Sequence, residues 1–236
     1  IGVETVEEVL LTHHHRDQAQ GLADLDKYDF NVTVPAAEAL YFEDVENFWD
    51  KVKIHINYNC RSHWNTIRHS IRVDRKVAGG DSFDWRGITF KVVHCPGSSV
   101  GAVTYVAEID GKTVAFSGDL ISGSGKVTNW FDLHWSYYGF TQGINASEKS
   151  FERVMEHQPQ VLLPSHGAPI DDPAAAIAAN NGIYDQIRQM LPPNELHRQK
   201  HEVREITPHL AYIGMNCYGL VSKSGKAFLW DYGYVE

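Results

Sequence analysis

The segment Thr12-His13-His14-His15-Arg16-Asp17-Gln18 constrains this chain more than any other. It follows the apolar run Val9-Leu10-Leu11, so residues 6–11 read as a buried strand that ends in a crowd of imidazoles. Alternate side chains of an extended segment share a face. His13, His15 and Asp17 are therefore expected to converge on one point, with His14 and Arg16 looking away. Imidazole nitrogen plus carboxylate oxygen is the donor set that zinc, iron and manganese accept. The competing readings are a polar loop with a chance cluster and the remnant of a tag. Internal histidines behind a strand argue against the tag.

Three more strand ends carry polar residues suited to chemistry. Ile88 to His94 reads as a strand that stops at Cys95-Pro96-Gly97-Ser98-Ser99. Gly101 to Ile109 and Lys112 to Phe116 read as a hairpin about Asp110-Gly111. That hairpin delivers Ser117-Gly118-Asp119. Val161-Leu162-Leu163 runs into Pro164-Ser165-His166-Gly167. Helices are expected over Ala36 to Trp49, from an N-cap at Asn145 through Phe151, Val154 and Met155, and from Asp172-Pro173 to Leu191. Lys51 to Ile56 alternates like a strand. The aromatic segment with Trp130, Phe131, His134, Trp135, Tyr138 and Phe140 reads as either packing under a long loop or a substrate wall.

Composition removes several function classes. A formal net charge of −9 disfavours a general nucleic-acid binder. A local basic block with Arg61, Arg68, Arg72, Arg75 and Lys76 reads as a solvated face or as a surface for an anionic substrate. The spacing of Cys60 and His63 suits ligands, but no second pair matches it. The three cysteines are scattered, which fits a reducing compartment and a cytoplasmic location. No apolar run approaches the roughly 20 residues of a membrane span. The chain opens on Ile1 without an initiator methionine, so it reads as a piece that has been cut, and a missing leader says little.

The order and spacing of THHHRDQ, HCPGSS, SGD and PSHG resemble the metallo-β-lactamase superfamily, over most of residues 6–175. The resemblance implies an α+β fold, a four-layer αββα sandwich. It implies a hydrolase that uses a metal-activated water on an ester, thioester, lactone, amide or phosphodiester, with a small-molecule substrate. Zinc is the expected cofactor, one or two ions, with iron or manganese as options. His13 and His15 match the pair that holds the first metal. Asp17 matches the aspartate of the second metal, which also orients the attacking water. Asp119 matches the bridging carboxylate and His166 the late histidine of the second metal. Two positions depart from the pattern. Gln18 stands where the second-metal histidine is expected, and Ser98 where the first-metal histidine of the Pro-Gly-His turn is expected. Each half-site then keeps three protein ligands, the usual count for a catalytic zinc. His94, His134, Trp135, Tyr138 and Asp231 are expected to line the substrate or to back the ligands.

The tail is out of the family's order. Residues 205–236, with strands at Leu210–Ile213, Tyr218–Val221 and Ala227–Trp230, resemble the family's opening strands. They are expected to complete the sheet of a single domain spanning 1–236, in rearranged order, or to begin a second copy. The depleted ligand set leaves two other functions open. One is a non-catalytic binding or structural module on the same fold; the other is an iron-dependent oxidoreductase. The oligomeric state is not readable from the residues.

Overall fold

The computed structural model describes residues 2–25, 27–47, 66–127, 142–190, 203–214 and 217–230. The expected strand at Lys51–Ile56, the Cys60/His63 pair, and the candidates His134, Trp135, Tyr138 and Asp231 lie outside the described residues. The chain divides into two compact units, Ile1–Asp185 and Gln186–Glu236.

The first unit holds two sheets. β1 (Glu8–Leu10), β2 (Asn31–Pro35) and β3 (Arg75–Val77) form a parallel sheet in that order. β4 (Ser82–Trp85), β5 (Ile88–His94), β6 (Val103–Ile109), β7 (Lys112–Gly118) and β8 (Val161–Pro164) form the second, also in chain order. Its pairs are antiparallel except β7 with β8, which run parallel. Asp110 and Gly111 take φ of 51° and 75°, the pair of positive angles that a tight two-residue hairpin turn requires.

Between the sheets lies a core of Val77, Phe90, Val92, Val103, Tyr105 and Ala107, with Leu10 and Phe83 packed on it. Tyr105 seals it to the first sheet by donating its hydroxyl to the Leu11 carbonyl at 2.9 Å. Thr104 and Val106 point to the opposite face and are buried as well. Both faces of β6 are thus covered, which is why Val103 to Ala107 reads as an unbroken apolar run with one threonine. A second core, with Leu11, Ala19, Val32, Val34, Phe42 and Ile67, lies against α1 (Arg16–Ala23) and α2 (Leu40–Glu43). On the far side, α3 (Gln142–Met155) ties to the end of β5, Ser150 donating to the Pro96 carbonyl at 2.8 Å. Phe151 of α3 stacks on Tyr184 of α4 (Pro173–Met190) with ring centroids 6.3 Å apart. The result is the mixed α+β, helix–sheet–sheet–helix arrangement expected.

Two helices differ from expectation. Ala36 to Trp49 is not one unbroken helix: a 3-10 turn at Ala36–Glu38 leads into the short α2, the chain leaves helical angles at Asp44 (φ −133°, ψ 51°) and helix resumes over 45–47, with 48 and 49 outside the described residues. Side chains from residues 66–70 take the backbone groups a longer helix would use. Thr66 donates to the Tyr41 carbonyl at 2.8 Å, and the Val45 N–H donates to Ser70 Oγ at 3.1 Å. Helix α3 begins at Gln142, so Asn145 lies inside it and is not the cap. The start at Asp172-Pro173 is as expected, with Asp172 Oδ1 accepting from the Ala175 N–H at 3.0 Å. Three residues of the basic block pair with carboxylates, Arg72 with Asp74, Arg75 with Glu8 and Lys76 with Glu43; Arg61 lies outside the described residues. No described helix is long and apolar enough to cross a membrane.

The second unit contains β9 (Arg204–Thr207), β10 (Leu210–Gly214), β11 (Cys217–Val221) and β12 (Ala227–Trp230). They pair antiparallel in the order β12-β11-β10-β9.

Candidate metal centre

Strand ends bring the centre together. The Gly118 carbonyl accepts from the Ser165 N–H at 2.9 Å, so the ends of the parallel strands β7 and β8 lie side by side with Asp119 and His166 just beyond them. Thr12 joins the first sheet to the second, its carbonyl accepting from the Val103 N–H at 2.9 Å. Gly118 sits at φ 56°, and a Cβ there would lie 2.7 Å from Thr12 Oγ1. Only glycine permits β7 to end this close to the histidine segment. Gly167, at φ 98°, makes a similar approach: a Cβ would meet the Ser122 carbonyl oxygen at 2.2 Å.

On this frame, Asp119 Oδ2 lies 3.1 Å from His13 Nε2 and 3.5 Å from His15 Nδ1. His166 Nε2 is 3.7 Å from Asp119 Oδ1 and 2.7 Å from Asp17 Oδ2. Two groups result, His13/His15/Asp119 and Asp17/Asp119/His166, each with its potential ligand atoms within 4.8 Å of one another. Asp119 belongs to both, one oxygen turned toward each. The first group is buried; in the second, the side chains of His166 and Asp17 are 56% and 49% exposed. The centre therefore has a closed inner half and an outer half open to solvent.

Asp17 reaches its place by another route than expected. The histidine segment is not extended throughout, because α1 begins at Arg16 and Asp17 lies in its first turn. The start of a helix also favours a carboxylate electrostatically. Gln18 donates its amide to Asp17 Oδ2 at 2.8 Å. Ser98 is buried in the turn after β5. His94 is held by its own turn, at 3.1 Å from the Val100 carbonyl oxygen, and belongs to neither group.

Electrostatics fit a cation. Burial alone would raise the Asp119 pKa, but hydrogen bonding and charge from His13 and His15 outweigh it and hold the carboxyl far below the usual range. Burial pushes the His15 pKa down, only partly offset by Asp119, which favours the neutral imidazole that binds metal. Asp119 Oδ1 is buried without a hydrogen-bond partner among the described residues, a costly state for a carboxylate oxygen and one that an ion would relieve. Two inner imidazoles, a shared carboxylate and an outer Asp/His pair form a donor set that suits zinc, iron or manganese.

The family model of the metallo-β-lactamase superfamily matches residues 1–166. The chain belongs to the metallo-β-lactamase superfamily. Solved members share its fold at low identity. A metallo-β-lactamase from Cronobacter sakazakii with a HARLDQ motif is 16% identical, covers 78% of this chain and 73% of its own, and superposes with a TM-score of 0.56. A β-lactamase domain protein from Burkholderia ambifaria gives 20% identity, coverage of 84% and 60%, and a TM-score of 0.55. An archaeal superfamily protein from Sulfolobus tokodaii gives 18%, coverage of 82% and 71%, and 0.51. By sequence, an atrochrysone carboxyl ACP thioesterase from Passalora fulva is 25% identical over 169 residues, 71% of this chain. The matched stretch is 38% of that thioesterase.

One residue of this superfamily member's centre was not legible in the sequence. Glu38 is fully buried and accepts from the His14 N–H at 2.8 Å, with His14 Nδ1 at 2.9 Å. In Ala36-Ala37-Glu38-Ala39-Leu40 it reads as an ordinary surface residue of a helix. The available signal was His14 itself, an imidazole on the far side of a metal-competent pair that needs a partner of its own once buried.

Proposed function

We propose that this chain is a metal-dependent hydrolase of small molecules, acyl thioesters foremost, within a range that includes esters, lactones, amides and phosphodiesters. The observation that supports this reading is the meeting of His13, His15, Asp17, Asp119 and His166 about the single carboxylate of Asp119. The Passalora fulva relative is a thioesterase, and this favours a thioester within that range. His13, His15 and Asp119 would hold one ion; Asp17, Asp119 and His166 would hold a second. Zinc is the first choice, with iron or manganese as alternatives. A divalent ion there supplies a water acidified to a pKa of about 7 and an electrophile for the substrate's oxygen. The chain supplies the rest. Asp17, half-exposed and fixed by Gln18 and His166, orients the attacking water and accepts its proton. Asp119 would stay ionised, and the proton held on Asp17 would pass to the leaving group, with His166 serving as a ligand on the solvent side.

A second reading, a non-catalytic module on the same fold, rests on the departures at Gln18 and Ser98. The Gln18 amide donates to Asp17, and glutamine is a weak donor for zinc. Against it, a six-residue motif that begins with His and ends in Asp-Gln also occurs in the Cronobacter metallo-β-lactamase. The test is turnover of a panel of acyl-thioester, ester, lactone, amide and phosphodiester probes. The hydrolase reading expects hydrolysis of at least one, lost on chelation, restored by zinc and absent in Asp119→Ala. A folded, zinc-loaded protein that turns over nothing, while Gln18→His/Ser98→His gains activity, would favour the module.

A further inference from the structure

The residue between the two inner histidines, His14, is held by a buried carboxylate that belongs to neither ligand group. Glu38 carries a carboxylate at zero exposure. An isolated charge in that position is costly unless its lone pairs are filled. Each oxygen is filled from a different segment. Oε2 faces both the backbone N–H and the Nδ1 of His14, at 2.8 and 2.9 Å. Oε1 accepts from the Gly101 N–H at 2.8 Å and from the Ser99 hydroxyl. Tyr41 stacks on the other side of His14, with ring centroids 4.3 Å apart and planes 24° apart. Gly101 is small because it must be: a Cβ there would lie 2.5 Å from Glu38 Cγ and 2.9 Å from Ala37 Cβ.

The consequence is geometric. Fixing the His14 N–H fixes the peptide plane between His13 and His14. Fixing the His14 ring stops the segment from rolling. His13 and His15 are the immediate neighbours on either side, and their rings stand edge-on at 4.5 Å. The other oxygen ties the same point to the turn that contains Ser98. We infer that Glu38 is a positioning residue for the metal centre: it staples the histidine segment to the turn after β5 and sets the separation of His13 Nε2 and His15 Nδ1 before any ion arrives. This rests on the metal-centre reading. Glu38 itself belongs to neither ligand group. Supporting groups of this kind set how tightly and in what geometry the ligands grip.

The test uses cobalt(II) as the probe, titrated into metal-stripped whole chain, with affinity and visible ligand-field bands as readouts. Glu38→Gln keeps the shape but turns an amide N–H₂ toward two donors. Ile144→Val, a buried change in α3, serves as a control for general destabilisation. The inference expects wild type and Ile144→Val to share one spectrum. It expects Glu38→Gln to bind about 10–100-fold more weakly, with altered bands. Ser99→Ala, which removes one donor and leaves the charge, should weaken binding less than Glu38→Gln. It decides the matter if Glu38→Gln does not fold: wild-type behaviour in Ser99→Ala would then overturn the inference. Identical spectra and affinities for wild type and Glu38→Gln overturn it and leave the metal centre standing. Absence of bands in the wild type overturns both.

Discussion

At Gly118 a single hydrogen separates two sheets. The residue combines φ 56° with a gap too narrow for a methyl group, against a threonine whose Oγ1 lies 3.0 Å from His13 Nδ1. Gly118→Ala should cost about 1–3 kcal/mol, read by urea melts, and should lower zinc affinity by moving Asp119 away from His13. Unchanged affinity would show that β7 can end elsewhere. Glu38 carries a pH signature. Burial opposes ionisation, but His14, Ser99 and the charge on His13 outweigh it, and the pKa falls from 4.5 to about 2. A depressed carboxylate stabilises the fold in full above its unfolded pKa. That contribution is lost as pH falls from about 4.5 through 2, and amounts to ~3 kcal/mol. Urea melts between pH 7 and 3 should therefore fall steeply for wild type at the acid end and less steeply for Glu38→Gln. Parallel curves would contradict this account. Glu38 also marks the limit of reading by residue type. Its neighbours have helical spacing, and nothing local says that its carboxylate answers to an imidazole 24 residues earlier.

Elements were legible where their own residues decide them. Asp110-Gly111 closes a hairpin because both residues tolerate positive φ, and β6 is apolar because both its faces are covered. Asp172-Pro173 starts α4 through a local cap. Legibility failed where a distant segment took over the backbone. Ala36 to Trp49 has helical spacing, yet Thr66 takes the Tyr41 carbonyl, Ser70 takes the Val45 N–H, and the helix breaks at Asp44. The extended reading of Asp17 failed for a related reason: α1 starts one residue before it and turns it toward His166 by helix geometry. Helices α3 and α4 make their own prediction. Phe151 is 2% exposed and stacks on Tyr184. Phe151→Ala should cost about 3–5 kcal/mol in denaturant melts. The folded fraction should keep its zinc affinity, because the ligands stand on other elements. A parallel loss of affinity would mean that α3 supports the centre directly.

Across the whole first unit, the four strand-end segments matter more than any helix. Two sheets of different pairing deliver their ends to one place, and residues 13 to 166 supply the groups that meet there. This is why the meeting of the five candidate side chains was readable from motif order while the buried-inside, open-outside asymmetry was not. The asymmetry comes from packing, with Asp119 shielded and His166 in solvent. It predicts that the inner group is the tighter of the two. The most direct measurement is zinc-edge anomalous diffraction from crystals of the whole chain grown with zinc. The account predicts a peak at about 2.0–2.2 Å from both His13 Nε2 and His15 Nδ1, with Asp119 completing the set. A map with zinc bound elsewhere on the chain, and the His13–Asp119 hydrogen bond intact, would contradict it.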